Sequence, residues 1–268
     1  MQYQEYLITF LYKYACKAYQ IISTFFEDLF LIKAKPKKEF LKKRVFSYSE
    51  FENFNFNEFE NLDKISVNEY LSIRAINKDL LENLIKRVFN YKFRNYITKI
   101  TGFKYSIDFM IFYDRKFIPL NKRNVPTLSQ PYSYRWHFDK PNSKNMLKVF
   151  FPINISNGYG PLQVIDFINS KKINNTKRIE LNPKTISFTG NKDIIYAFNP
   201  TICCHKDGIP EEGNEATQIM FQLNPNSNWV INSKIYKRSP TLNNKLGIWT
   251  TEPKFPFYAY LFDKRDKF

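Results

Sequence analysis

From Lys104 onward the chain is written in short apolar runs set between turn residues, a rhythm that restricts it to a mainly β architecture. Lys104-Tyr-Ser-Ile-Asp-Phe-Met-Ile-Phe-Tyr113 opens the series. Asn145-Met-Leu-Lys-Val-Phe-Phe-Pro-Ile-Asn-Ile155 follows, then the turn Asn157-Gly-Tyr-Gly160 and the run Pro161-Leu-Gln-Val-Ile165. A second turn, Gly190-Asn-Lys-Asp193, leads into Ile194-Ile-Tyr-Ala-Phe198 and on to His205, and Thr217-Gln-Ile-Met-Phe-Gln-Leu223 reads as the next strand. Strands this short and this closely spaced suit a sandwich or barrel, not a parallel βαβ sheet.

Within this series Tyr134-Arg-Trp-His-Phe-Asp-Lys140 stands out. Side chains alternate along a strand, so His137 and Asp139 point to one side and Phe138 to the other. One further imidazole from a neighbouring strand completes a two-His-one-carboxylate facial triad, which leaves three positions open on Fe(II). The chain has 2 histidines, so the third ligand is His205. A His-x-Asp tripeptide alone is a weak signal, because an isolated histidine is more often a satisfied core or surface residue. The surroundings carry the weight.

The order Trp-His-x-Asp, strand, Asn-Gly turn, Gly-Asn-Lys-Asp turn, apolar strand and distal histidine resembles the phytanoyl-CoA dioxygenase family of Fe(II)/2-oxoglutarate oxygenases, over roughly Ile100 to Leu223. The resemblance implies a double-stranded β-helix, a cupin-type jelly roll, over residues 101–268, with helices of residues 1–100 packed on its outer sheet in a single domain spanning 1–268. The expected class is therefore mainly β with N-terminal helices (α+β). It further implies Fe(II) on His137, Asp139 and His205, 2-oxoglutarate as co-substrate, and oxidation of an unactivated C–H bond. Related halogenases replace the metal carboxylate by Ala or Gly, so Asp139 favours hydroxylation.

The chain departs from the family where the co-substrate's far carboxylate binds. Family members place an Arg about eleven residues after the distal histidine and a hydroxyl two after it; here these positions are Ala216 and Asp207. The co-substrate contacts expected instead are Lys148, on the strand after the metal pair, and Thr217 and Gln218 beside Ala216. For Lys148 the bland alternative is a solvated surface lysine, since alternation alone does not say which way it points. Arg135 and Lys206 flank the ligands and are the expected contacts to a small, anionic substrate. Two readings stay open: an oxygenase acting on such a metabolite, and a non-catalytic jelly-roll binding protein that has lost the 2-oxoglutarate pocket.

Composition adds bounds. With 27 Phe and 18 Tyr in 268 residues the chain carries an aromatic-rich core and is not disordered. The formal net charge is +16. AT-rich codons explain a Lys-rich composition as well as an anionic partner does, and no Arg-rich run or RNA-binding signature accompanies the charge, so no nucleic-acid partner is expected. The 3 cysteines form no disulfide framework and no zinc cluster, which points to a reducing, cytoplasmic setting.

Upstream, residues 5–32 carry polar side chains at Glu5, Thr9, Lys13, Lys17, Gln20, Thr24 and Asp28, one narrow stripe on an otherwise apolar helix. Basic residues up to Arg44 follow. Packing within the fold is favoured over a membrane-surface contact through residues 5–44, because so wide an aromatic and β-branched face is costly in water. Phe46 to Asp63 reads as a loop that can carry helical turns. Ser66-Val-Asn-Glu69 has a capping-box pattern that predicts a short helix, and the apolar spacing predicts a longer one from Lys78 to Ile100, stopped by Gly102. Loop 121–133 precedes the metal strand, and the family resemblance implies a substrate-covering loop at this place.

Overall fold

The computed structural model describes residues 38–50, 56–123, 133–139, 145–176, 183–232 and 265–267, with isolated positions 18, 21, 22, 25 and 235. The amphipathic stretch 5–32 and most of loop 121–133 therefore lie outside the described residues. Among the described residues no helix is long and apolar enough to cross a membrane.

In chain order the elements are α1 (Lys38–Lys43), β1 (Val45–Tyr48), α2 (Asn57–Glu60), β2 (Lys64–Asn68), β3 (Leu71–Arg74), α3 (Lys78–Val88), α4 (Tyr91–Thr101) and β4 (Lys104–Lys116). There follow β5 (Leu147–Asn154), β6 (Leu162–Ile165), α5 (Phe167–Thr176), β7 (Thr185–Phe188), β8 (Ile195–Phe198), β9 (His205–Lys206), β10 (Glu215–Asn226), β11 (Val230–Asn232) and β12 (Arg265–Lys267). A large sheet runs β1-β8-β5-β10-β4-β11-β12, with the β2–β3 hairpin joined to β4, and a small sheet runs β7-β6-β9. An antiparallel bridge between His137 and His205 adds a fourth member to the small sheet. From β4 the chain visits large, small, large, small, small, large, small and large sheet in turn. That winding is a double-stranded β-helix, mainly β with helices from the N-terminal part packed outside.

Alternation along the central strands divides the core in two. Phe109, Ile111, Tyr113, Phe150 and Met220 face the small sheet and pack with Leu162, Val164 and Phe188. Met110, Phe112, Val149, Phe151, Ile219 and Phe221 face the other way and are covered by Leu81, Leu84, Ile85 and Val88 of α3 and Phe93 and Ile97 of α4.

Three local expectations are corrected. The single helix over 78–100 is two, because Asn90 has extended backbone (φ −62°, ψ 170°) and its side chain accepts from Phe93 N at 3.0 Å, capping a new helix. Gly102 ends that second helix with φ 83°, as its position predicts. Ser66–Glu69 is no helix start. It lies in the β2–β3 hairpin, whose ladder to β4 and whose Arg74 and Lys64 contacts to buried Asp114 override the local capping pattern. Third, part of the stretch read as loop is β1, which pairs with β8 in register Val45↔Phe198 to Tyr48↔Ile195.

Phe89 locks the helices to the sheet: it is fully buried, with ring centroids 5.0 Å from Phe221, 5.6 Å from Phe93 and 6.1 Å from Trp229. Phe89→Ala is expected to cost about 3–5 kcal/mol in denaturant unfolding, and Leu120→Ala, at an exposed site, less than about 0.5 kcal/mol.

Candidate metal centre

The site begins as backbone. His137 and His205 lie opposite one another and exchange both N–H···O=C hydrogen bonds at 3.0 Å. Directly paired residues project to one face, so the two imidazoles stand side by side with centroids 4.3 Å apart. Asp139, two residues on from His137, returns to the same face and is fixed by its own N–H to Pro200 O at 2.9 Å.

Each imidazole is oriented from behind. His137 Nδ1 lies 2.7 Å from Arg135 O, and His205 Nδ1 lies 3.0 Å from Cys203 O. A carbonyl only accepts, so Nδ1 carries the proton in both rings and each Nε2 presents its lone pair. Both Nε2 atoms are 3.5 Å from the same oxygen, Asp139 Oδ1. Ligating atoms of all three residues fall within 4.8 Å of one another. Cis ligands on an octahedral first-row ion are about 3 Å apart, so two imidazole nitrogens and one carboxylate oxygen in this arrangement suit one face of such an ion.

Lys148 completes the cluster. It points into the barrel from the middle of the large sheet, and its Nζ is 2.5 Å from Asp139 Oδ2. The carboxylate is thus shared, one oxygen toward the imidazoles and the other toward the ammonium. Burial opposes ionisation of Asp139, yet Lys148 first, and then the two imidazoles, hold its carboxyl well below the usual range. Burial likewise works against protonation of His137, but the hydrogen bond and charge of Asp139 outweigh it and raise that pKa. In His205 burial wins and the pKa falls. Burial pushes the Cys203 thiol up to about 12 and Cys204 up to about 11, so neither offers a thiolate.

The remaining expected site residues separate. Gln218 faces the interior, where its Nε2 donates to the Tyr113 hydroxyl. Thr217 does not: its hydroxyl donates to Asp114 at 2.7 Å on the opposite face of β10. Lys206 alternates away from His205 and lies 4.8 Å over the ring of Trp136. Arg135 is exposed, with Nη2 donating to Arg123 O at 3.1 Å. Arg115 was not anticipated. It is directly opposite Ala216 in the β4–β10 ladder, therefore on the same face, and is fully buried. Reading a lone arginine at the end of an apolar strand as inward needs the strand register, which the sequence alone does not contain.

Two outcomes check this geometry. His137→Ala is expected to weaken Mn(II) binding by more than about a hundredfold in a calorimetric titration. Asp139 has a depressed pKa only when folded, so its stabilisation is present above about pH 4 and is lost as pH falls through the lower folded value. Lys148→Met removes the leading cause of that depression. It is expected to destabilise the metal-free protein by about 1–3 kcal/mol at neutral pH and to move acid unfolding, followed by circular dichroism, to higher pH.

No family profile and no curated protein matches the chain. Among solved structures it is similar to HygX from Streptomyces hygroscopicus, crystallised with nickel, 2-oxoglutarate and hygromycin B, at 11% identity and a TM-score of 0.47, over 71% of this chain and 86% of that one. It is similar to EctD from S. alaskensis, crystallised with 2-oxoglutarate and 5-hydroxyectoine, at 10% identity and a TM-score of 0.48, over 70% and 74% of the two chains. A third is the non-heme alpha ketoglutarate dependent epimerase SnoN from nogalamycin biosynthesis, at 7% identity and a TM-score of 0.48, over 70% and 80%.

Proposed function

We propose that this protein is an oxygenase that holds Fe(II) on His137, Asp139 and His205 and oxidises a small molecule with O2 and a 2-oxo acid. The observation that carries the reading is the convergence of His137 Nε2, His205 Nε2 and Asp139 Oδ1, three donors of the type and arrangement that leave half of an octahedral ion open. Bound iron would supply O2 activation coupled to decarboxylation of the 2-oxo acid, releasing CO2 and the acid one carbon shorter and placing one oxygen atom in the substrate.

The chain's own residues prepare that chemistry. Two backbone carbonyls fix the imidazole tautomers, and Lys148 holds one oxygen of the ionised Asp139, so that the other would be the one to hold a metal. Phe198, with its ring centroid 5.0 Å from that of His205, and Phe150, 5.8 Å from Phe198, line an apolar interior beside the ligands. Water is kept from one side of the site by those rings. Arg135, exposed beside His137, is the contact we assign to a substrate's negative charge at the mouth of the barrel.

The test is Fe(II)-dependent release of CO2 from a 1-carbon-labelled 2-oxo acid, expected from the parent protein and absent from His205→Ala. Iron bound at the triad with no 2-oxo acid consumed, across acids with neutral and charged side chains, would sink the oxygenase reading and leave a metal-binding barrel.

A further inference from the structure

The interior beside the metal ligands presents a carboxylate. Asp207 follows His205 by two residues, about 7 Å along the strand and on the same face, and its N–H continues the ladder to Ser133 O at 2.7 Å. It is 8% exposed. Its Oδ1 is shielded from water and accepts no hydrogen bond among the described residues. A buried acceptor left without a donor is costly, and a ligand is one way to supply the donor.

The neighbouring guanidinium does not supply it. Arg115 Nη1 is 3.6 Å from Asp207 Oδ1, but its hydrogen bond goes to Gly208 O at 2.6 Å. Nη2 donates to Gly160 O at 3.0 Å and reaches Gln218 Oε1 at 3.4 Å. Those carbonyls are brought close because two glycines let backbones touch: a Cβ on Gly208 would come within 2.5 Å of Pro161 O, and one on Gly160 within 2.4 Å of Ile209 C. Both terminal nitrogens of Arg115 are thereby committed to backbone carbonyls, with its charge countered by Asp207. Lys148, the other cation facing this interior among the described residues, is committed to Asp139.

A dicarboxylate anchored at the metal by its 2-oxo acid end would bring its second carboxylate into this region. It would meet Asp207, a like charge, beside a guanidinium whose charge is already balanced. The second carboxylate of 2-oxoglutarate does not fit these residues. We infer that the co-substrate is a 2-oxo acid with a single carboxylate and an uncharged, hydrogen-bond-donating far end, and that Asp207 is the residue that selects it. The inference rests on the metal and 2-oxo acid reading given above and narrows its co-substrate.

Two probes differ at one group only in their open-chain forms: 2-oxoglutarate, and 2-oxoglutaramate, whose terminal amide is neutral and donates; because the amide closes largely to a lactam in water, its affinity is referred to the open-chain fraction. With Mn(II)-loaded protein, calorimetry is expected to show the amide binding at least about tenfold more tightly than the diacid. Asp207→Asn is expected to tighten 2-oxoglutarate by about tenfold and so to narrow or abolish that ratio. A thermal melt confirms that the variant folds, and the parent's own preference does not depend on it. Tighter or equal binding of 2-oxoglutarate by the parent overturns the inference, as does a ratio unchanged in a folded Asp207→Asn. Mn(II) binding with neither acid captured also overturns it while leaving the metal site standing. Failure to bind Mn(II) at all defeats the underlying metal reading, and this inference with it.

Discussion

The structure depends most on one pair of backbone hydrogen bonds, those between His137 and His205. Residues 68 positions apart in the chain are brought opposite one another only if every strand between them takes its place, so the bridge reports correct winding of the barrel. The functional geometry is then a by-product of sheet geometry. Paired residues project together, residues two apart project together, and these two rules set both imidazoles and the Asp139 carboxylate on one face without any contribution from an ion.

The sheet also explains how two incompatible environments coexist in one protein. On the helix-covered face of the large sheet, rings and aliphatic side chains pack closely around Phe89 and Phe221. That face carries a buried charge, Asp114, but it is fully answered: Arg74 approaches both oxygens at 2.9 and 3.0 Å, Thr217 donates at 2.7 Å and Lys64 lies at 3.1 Å. On the inner face, beside the ligands, Asp207 is answered incompletely.

Much of the arrangement was legible in the sequence, and the boundary is physical. The series of short strands, the His137-x-Asp139 pair and the distal His205 could be read because each follows from a local period of two and a small number of histidines. Direction is harder than identity. Lys148, Gln218 and Thr217 all sit on strands, but which way each points depends on registers and bulges set by partners far away, such as the irregularity between Thr217 and Gln218 where β10 meets β5. Ser66–Glu69 misled for the reverse reason: its capping pattern was present, and tertiary pairing with β4 prevailed over a preference of about a kcal/mol. The break at Asn90 could have been weighed, since Asn is a favoured N-cap, but the apolar spacing runs through it without interruption.

The shared carboxylate of Asp139 bears on how such a protein is made and kept. Because Lys148 already balances the charge of Asp139, folding of the chain needs no cation at that carboxylate. Metal loading would then be an event of the finished fold. An ion taken up at the triad would come and go without the barrel opening, and its occupancy would follow the supply of metal in the surroundings, independent of the rate at which new chains fold.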